Sequence, residues 1–397
     1  MKRQLSIENL LQIFNEWIKL PSLKALHEPC FKGKEWEYVK QCIDTGWVSS
    51  AGQFVDRFEQ ELSDYTGSKY AIATSNGTAA LHISFLLAGI QPKDEVLVPT
   101  LTFVGTCNAI HYCSATPHFV DSDQMTFGVD AQKLVTYLKE ITQIKQGVCY
   151  NRLTHRPIRA LCVMHTFGHP ADLDLLCEIA DQYHLVIIED AAEALGTYYK
   201  GKHVGYHGLM GILSFNGNKI VTTGGGGAIL TNHYDIAKKA KHLTTTAKLP
   251  HQWRFYHDQA GYNYRLPNIN AALGCAQLEQ IEYFLKAKRA LAFQYQQLFA
   301  NIEGVNFVTE PIYAKSNYWL NTFLLDAQYS HLHTDLLKNL NQKNISVRPA
   351  WDLMHSLPMY QQAPKMDLST AESLANRLIN IPSSVVLGEK YVTYNSI

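Results

Sequence analysis

Between about residue 68 and residue 232 the chain alternates short β-branched apolar runs with longer stretches whose apolar residues recur at helical spacing. YAIAT, EVLVP, TPHFVD, RALCVMHT, LVIIED, GILSF and GAILT read as strands, and TAALHISFLLAG and DLDLLCEIADQYH as helices. Alternation of this kind predicts an α/β fold: a large domain over residues 27–270 with three layers, α/β/α, around a mostly parallel mixed sheet. After about residue 270 the pattern changes. INAALGCAQLEQIEYFLKAKRALAFQYQQLF reads as one long helix leading into mixed strands and helices, so a smaller α+β domain is expected over 271–397. TTTAKLPHQWRFYHDQAGYNYRLPN has no clear period and is rich in aromatic, basic and amide residues, which predicts a loop near 245–268 that lines a site or a subunit contact.

At the start of the chain Ile7, Leu10, Leu11, Phe14, Trp17 and Ile18 fall on one helical face, and Pro21 ends the segment. Residues 1–26 are therefore expected to form a helical extension packed on its own protein. Glu8, Asn15 and Glu16 interrupt the apolar stretch and no small-residue cleavage site follows, so no export signal is read. No apolar run is long enough to cross a bilayer.

The 397 residues, 46% of them hydrophobic, suffice for a large core and a smaller one. Thirty-five basic residues balance thirty-five acidic ones, so no global field draws the chain to nucleic acid or to a membrane. Any phosphate it binds must be held locally. The cysteines at 30, 42, 107, 113, 149, 162, 177 and 275 form no CxxC pair. They are read as buried thiols in a cytoplasmic protein, and no metal site is expected.

Three elements carry chemistry. In TSNGTAAL a strand stops at Asn76, Gly77 permits a close approach and a helix begins at Thr78, which gathers free N–H groups and a positive helix end into an anion site. Asn76 acting only as an N-cap is the plainer alternative. In VIIEDAAEALG the apolar strand ends on Asp190 at the carboxyl edge of the sheet, where open α/β folds present their ligands. A carboxylate there suits the pyridine nitrogen of pyridoxal phosphate, whose protonated ring is an electron sink, or else simply caps the next helix. In ILSFNGNKIVTTGGGGAIL, Ser214 and Lys219 flank a turn, and the glycines at 224–227 let a hairpin pass close to a ligand. Lysine amines form Schiff bases, whereas the order GxxxxGK[ST] of a nucleotide phosphate loop is absent.

Anion turn, strand-end aspartate, then serine and lysine, in that order, resemble the fold-type I pyridoxal-phosphate enzymes, specifically the DegT-type nucleotide-sugar aminotransferases. The resemblance runs from about His27 to the end and includes WVSSAGQFVDRFEQELSDYTG, PTLTFVGTCNAI, HTFG and GYNYRLPNINAALGCAQL. LHEPCF, SFNGNK and TTGGGG look most like the C4-aminotransferases of bacillosamine-type and legionaminic-acid-type sugars. Gly225 departs from the wider pattern TTGEGG, and Glu193 stands where His or Gln is usual.

By this resemblance Lys219 holds the cofactor as a Schiff base and later shuttles protons, and Asp190 pairs with the pyridine nitrogen. Phe103 and Ala192 cover the two ring faces, with Asn76 and Glu193 also at the cofactor. Gly77, Thr78 and Ser214 hold the phosphate, joined by Asn263 from a second subunit, which implies a homodimer. Lys248, Trp253, Arg254, Tyr256 and Arg265, with Arg348, Trp351 and His355, are the candidates for a nucleotide-sugar. The implied reaction takes an amino group from L-glutamate and places it on C4 of a UDP-linked 4-keto-6-deoxy-N-acetylhexosamine, for a bacterial surface glycan or nonulosonic acid. Two rivals stand beside it: a sugar-nucleotide-binding protein of this fold without turnover, and an amino-acid aminotransferase using Arg348 or Arg377 for a substrate carboxylate.

Overall fold

The computed structural model describes residues 3–17 and 26–392. All seven apolar runs become strands of one nine-stranded sheet: Tyr70–Thr74, Glu95–Pro99, Thr116–Val120, Pro157–Met164, Val186–Asp190, Met210–Ser214 and Gly227–Thr231. Val186–Asp190 runs parallel to both its neighbours, with Met164 and Ile212 opposite Asp190. Of these seven strands Gly227–Thr231 alone is reversed, antiparallel to Tyr70–Thr74 on one side and Met210–Ser214 on the other. Thr74 and Ser214 both face Gly227 across the ladder. The carboxyl ends of the parallel strands thus share one edge of the sheet, the edge at which such folds bind ligands.

Near-continuous apolar strands are what a sheet covered on both faces requires, and Val96, Leu97, Val98, Cys162 and Val163 are fully buried. Helix Gly77–Leu87, apolar nearly all round, is buried along most of its length. All eight cysteines are free thiols, seven of them buried and Cys177 partly so.

Three features differ from the pattern-based expectation. The expected long helix is two, Asn268–Leu278 and Ile281–Phe299. The break is held by side chains of helices Glu35–Thr45 and Gln53–Thr66: Tyr38 and Arg57 each reach Glu279 at 2.7 Å, and Gln280 donates to Glu35 at 2.6 Å. A hairpin, Thr142–Lys145 with Val148–Asn151, adds the sheet's remaining two strands. Its turn at Gln146 and Gly147 uses positive φ at both positions, but polar residues in TQIK hide the alternation. Finally, the amino-terminal helix Ile7–Gln12 passes into a wider π-helical turn over Ile13–Trp17. Ile18, expected on its apolar face, and Pro21, expected to end it, lie outside the described residues.

That helix rests on its own chain. Leu5, Leu10, Ile13 and Phe14 join a second hydrophobic cluster with Leu291, Tyr295 and Phe299, and the Phe14 and Tyr295 rings meet edge-on at 6.2 Å. A four-stranded sheet, Val305–Phe307, Asn321–Leu325, Leu378–Ile381 and Arg348–Pro349 in spatial order, contributes to this cluster. Helix Ile281–Phe299 links this cluster to the main one: Phe284, Leu285 and Ala287 pack in the main cluster, and Leu291 onward in this one. Among the described residues no helix is long and apolar enough to cross a membrane.

Candidate functional site

The helix start after Thr74 is built for an anion. Asn76 is extended, its side-chain oxygen accepts from the Ala79 N–H at 2.8 Å, and its carbonyl accepts from Ala80. Asn76 therefore is an N-cap, as the plainer reading has it. Among the described residues no protein acceptor takes the N–H groups of Gly77 and Thr78, which stand at the positive end of an 11-residue helix. The approach is tight. A Cβ on Gly227 would lie 2.5 Å from the Asn76 carbonyl carbon, and one on Gly77 would lie 3.1 Å from Ser214 Cβ. Glycine at both positions lets the reversed strand run against the helix start. Asn76, Gly77, Thr78 and Ser214 line one wall of a cavity of about 360 Å³.

Asp190 forms the floor. Its carboxyl is buried, takes a hydrogen bond from Thr106 Oγ1 at 2.7 Å on Oδ2, and one from the Ala192 N–H at 3.2 Å on Oδ1. Burial raises its pKa above the ordinary aspartate value, while those two donors and the positive charge of Lys219 pull the other way. Such a group gains from a cation placed against it. Phe103 caps helix Val104–Tyr112 and is half exposed on the cavity wall, with Ala192 also in the lining.

Lys219 follows the turn after Met210–Ser214, its own N–H bonded to the Asn216 carbonyl at 2.9 Å. Its ammonium lies 3.3 Å from Glu193 Oε1 and 3.9 Å from the centre of the Trp319 ring. Phe167, in the left-handed region with φ 57°, turns its N–H onto Glu193 Oε2 at 2.9 Å. Burial pushes the Glu193 carboxyl up to about 7, against the opposing pull of Lys219. A carboxyl poised there can bind and release a proton near neutral pH, 3.3 Å from the lysine nitrogen.

The structure brings Asn76, Gly77, Thr78, Phe103, Asp190, Ala192, Glu193, Ser214 and Lys219 to one cavity, together with Trp351. Other sequence candidates lie elsewhere in this chain. Asn263 is exposed, and its Oδ1 accepts two bonds from Arg265 at 3.1 and 2.9 Å. Lys248, Trp253, Arg254 and Tyr256 belong to an exposed excursion closed by the Lys248–His257 bridge, outside the cavity lining. Arg348 lines an adjoining groove that shares Phe103, Asn218, Trp319 and Trp351 with the cavity. His355 is a brace, held by Thr100 at 2.8 Å and Glu372 at 3.4 Å. Arg377 is buried on the Leu325 and Ser373 carbonyls, outside the lining of the cavity and of the adjoining groove.

Thr106 and Trp319 are among the cavity residues that escaped the sequence reading. Thr106 carried a usable signal, because it stands one helical turn after Phe103 in TFVGT and so shares its face. Trp319, in SNYWLN, follows no glycine turn or strand end that would mark it.

The donor set fits a phosphorylated, cationic aromatic ring: open N–H groups and hydroxyls at one end, a buried carboxylate in the floor and an amine at the side. The family model described as the DegT/DnrJ/EryC1/StrS aminotransferase family matches residues 29–394. GDP-perosamine synthase of Caulobacter vibrioides is 38% identical over 364 residues, covering 91% of this chain and 93% of that protein. EpsN of Bacillus subtilis, which carries the name of a pyridoxal phosphate-dependent aminotransferase, is 35% identical over 362 residues, covering 90% of each chain. The crystal structure of a DegT DnrJ EryC1 StrS aminotransferase from Brucella abortus superposes with a TM-score of 0.79 at 25% identity, covering 90% of this chain and 92% of that one. The chain belongs to the DegT/DnrJ/EryC1/StrS family and is a pyridoxal-phosphate-dependent sugar aminotransferase.

Proposed function

We propose that this enzyme moves an amino group from L-glutamate to C4 of a nucleotide-linked 4-keto-6-deoxy sugar, with a UDP-linked N-acetylhexosamine as the acceptor. The observation that carries the reading is the Lys219 ammonium 3.3 Å from Glu193, in the same cavity as Asp190 and the helix start at Gly77. When bound, pyridoxal phosphate supplies the electron sink that makes an amino acid's α-proton removable. Gly77, Thr78 and Ser214 would hold its phosphate, Asp190 its ring nitrogen, Phe103 and Ala192 its faces, and Lys219 its carbonyl carbon. Lys219 Nζ then serves as the base and acid that moves the proton, with Glu193 as the nearest group to exchange it with.

We further propose a homodimer in which Asn263 completes the phosphate site of the partner. Its exposure outside its own cavity supports this, as do the exposed Trp253, Phe255 and Tyr256 on the same loop region. The UDP assignment rests on LHEPCF, SFNGNK and TTGGGG. A GDP-linked acceptor is the second reading, favoured by the likeness to GDP-perosamine synthases. Incubating the loaded enzyme and glutamate with a panel of UDP- and GDP-linked 4-keto sugars, with mass-spectrometric detection of the amino product, separates the two. Amination of free 2-oxo acids in preference to every sugar on the panel would overturn both.

A further inference from the structure

Trp319 is 5% exposed and comes from the C-terminal part of the chain, just before strand Asn321–Leu325. Three hydrogen bonds fix it. Its backbone N–H donates to Asn317 Oδ1 at 2.8 Å, its carbonyl accepts from Lys288 Nζ at 3.1 Å, and its indole Nε1–H donates to the Asn218 carbonyl at 2.8 Å. The last bond grips the residue next to Lys219. The first leads to the other side of the site, because Asn317 donates from Nδ2 to the carbonyls of Glu193 and Leu195, each at 2.9 Å. Asn317 itself has no room to move: a Cβ on Gly168 would come within 1.9 Å of its Oδ1. Lys288 is fully buried and also donates to the Ser383 carbonyl at 2.6 Å, so the wall behind the indole is tied down as well.

These bonds make Trp319 a strut between the turn that carries Lys219 and the loop that carries Glu193. Its ring face meets the Lys219 ammonium at 3.9 Å from the centroid, on a lysine side chain only 13% exposed. An aromatic face attracts a cation, and the attraction grows when the pair is sheltered from water. We propose that Trp319 is a positioning residue for the reactive lysine: its π face holds the ammonium against Glu193 whenever Lys219 is not bonded to the cofactor, and its indole N–H fixes the turn from which Lys219 works. The C-terminal part of the chain thereby sets the posture of a lysine that belongs to the large sheet.

The test reads the free amine of Lys219 directly in the full-length chain without cofactor. Trace acetylation at a fixed pH, quantified at the Lys219 peptide by mass spectrometry, is referred to the exposed Lys139. Trp319→Met fills much of the space with no π face, and is expected to raise the relative labelling of Lys219 about tenfold, the size of a sheltered cation–π contact. Trp319→Phe keeps a ring but loses the indole N–H bond to the Asn218 carbonyl, and is expected to fall between the parent and Trp319→Met. Replacing tryptophan by mono-, di- and trifluorinated analogues keeps the shape while weakening the face, and the labelling should rise stepwise. That series decides the matter alone if Trp319→Met does not fold. Unchanged labelling in folded Trp319→Met, a flat fluorination series, or Trp319→Phe behaving as Trp319→Met would each overturn the proposal.

Discussion

Lys219 Nζ lies 3.3 Å from Glu193 Oε1, at the junction of two loops that follow neighbouring strands and meet at the carboxyl edge of the sheet. The pair places a proton donor beside an acceptor held up to about 7 by burial.

Glu193→Gln keeps the shape and an acceptor for the Phe167 N–H but cannot ionise. Amine transfer by the parent enzyme should rise with pH through about 7, and that limb should vanish in the variant. Stability carries the opposite sign. The folded carboxyl binds its proton up to about 7, whereas an unfolded glutamate loses it near about 4.3. The parent therefore loses stability as pH rises through that window. Thermal melts at pH 5 and pH 8 should show the midpoint of Glu193→Gln gaining on the parent at the higher pH.

Asp190→Asn removes the charge at nearly unchanged shape, because its amide oxygen can accept from the Ala192 N–H while its NH2 donates to Thr106 Oγ1. A charge-assisted hydrogen bond contributes about 1.5–3 kcal/mol, so cofactor affinity should fall about 10- to 100-fold with little change in the melting temperature. Titration of the stripped chain with pyridoxal phosphate, followed by visible absorbance, measures it. An unchanged dissociation constant would remove Asp190 from the ring nitrogen.

Gly227→Ala places a methyl 2.5 Å from the Asn76 carbonyl carbon and 2.6 Å from Gly77 N. Backbone cannot yield as a side-chain tip can, so the helix start must shift, at a cost of about 1–3 kcal/mol. Phosphate-dependent affinity should drop further than stability does. Comparing binding of pyridoxal phosphate with that of pyridoxal isolates the effect, and equal losses for both would contradict the anion site.

His27 is buried, and burial, then the charges of Lys288 and Lys219, hold its pKa well below the ordinary imidazole value. An unfolded histidine takes up a proton near about pH 6.5, before the folded one does. Stability from this group is full above that pH and declines as pH falls below it. His27→Gln should flatten the loss of melting temperature between pH 7 and pH 5. A parallel decline in both proteins would exclude His27 as the cause.

Much of this was legible in the sequence where a local pattern and its physical cause coincide. The seven sheet strands announced themselves because strands buried on both faces need unbroken apolar runs, and Asp190 stood out as the acid that ends one. The break between Asn268–Leu278 and Ile281–Phe299 was not legible, because Glu279 and Gln280 are good helix residues and the partners that bend the chain there, Tyr38, Arg57 and Glu35, are more than 200 positions away. Trp319 was hidden for the same reason. Its meaning comes from Asn218 and Lys219, about 100 residues earlier. Asn263 and the 248–256 excursion are a different case: their proposed partner is another chain.

The central claim is that Lys219 is the covalent seat of the cofactor and the group that moves the proton. Borohydride reduction of the loaded enzyme, followed by peptide mapping, tests it most directly, with Lys219→Ala assayed in parallel for amine transfer to the keto-sugar panel. The account predicts the reduced cofactor's mass on the Lys219 peptide, and neither label nor amino product in the variant. Label on another lysine such as Lys248, or amine transfer by folded Lys219→Ala, would contradict it.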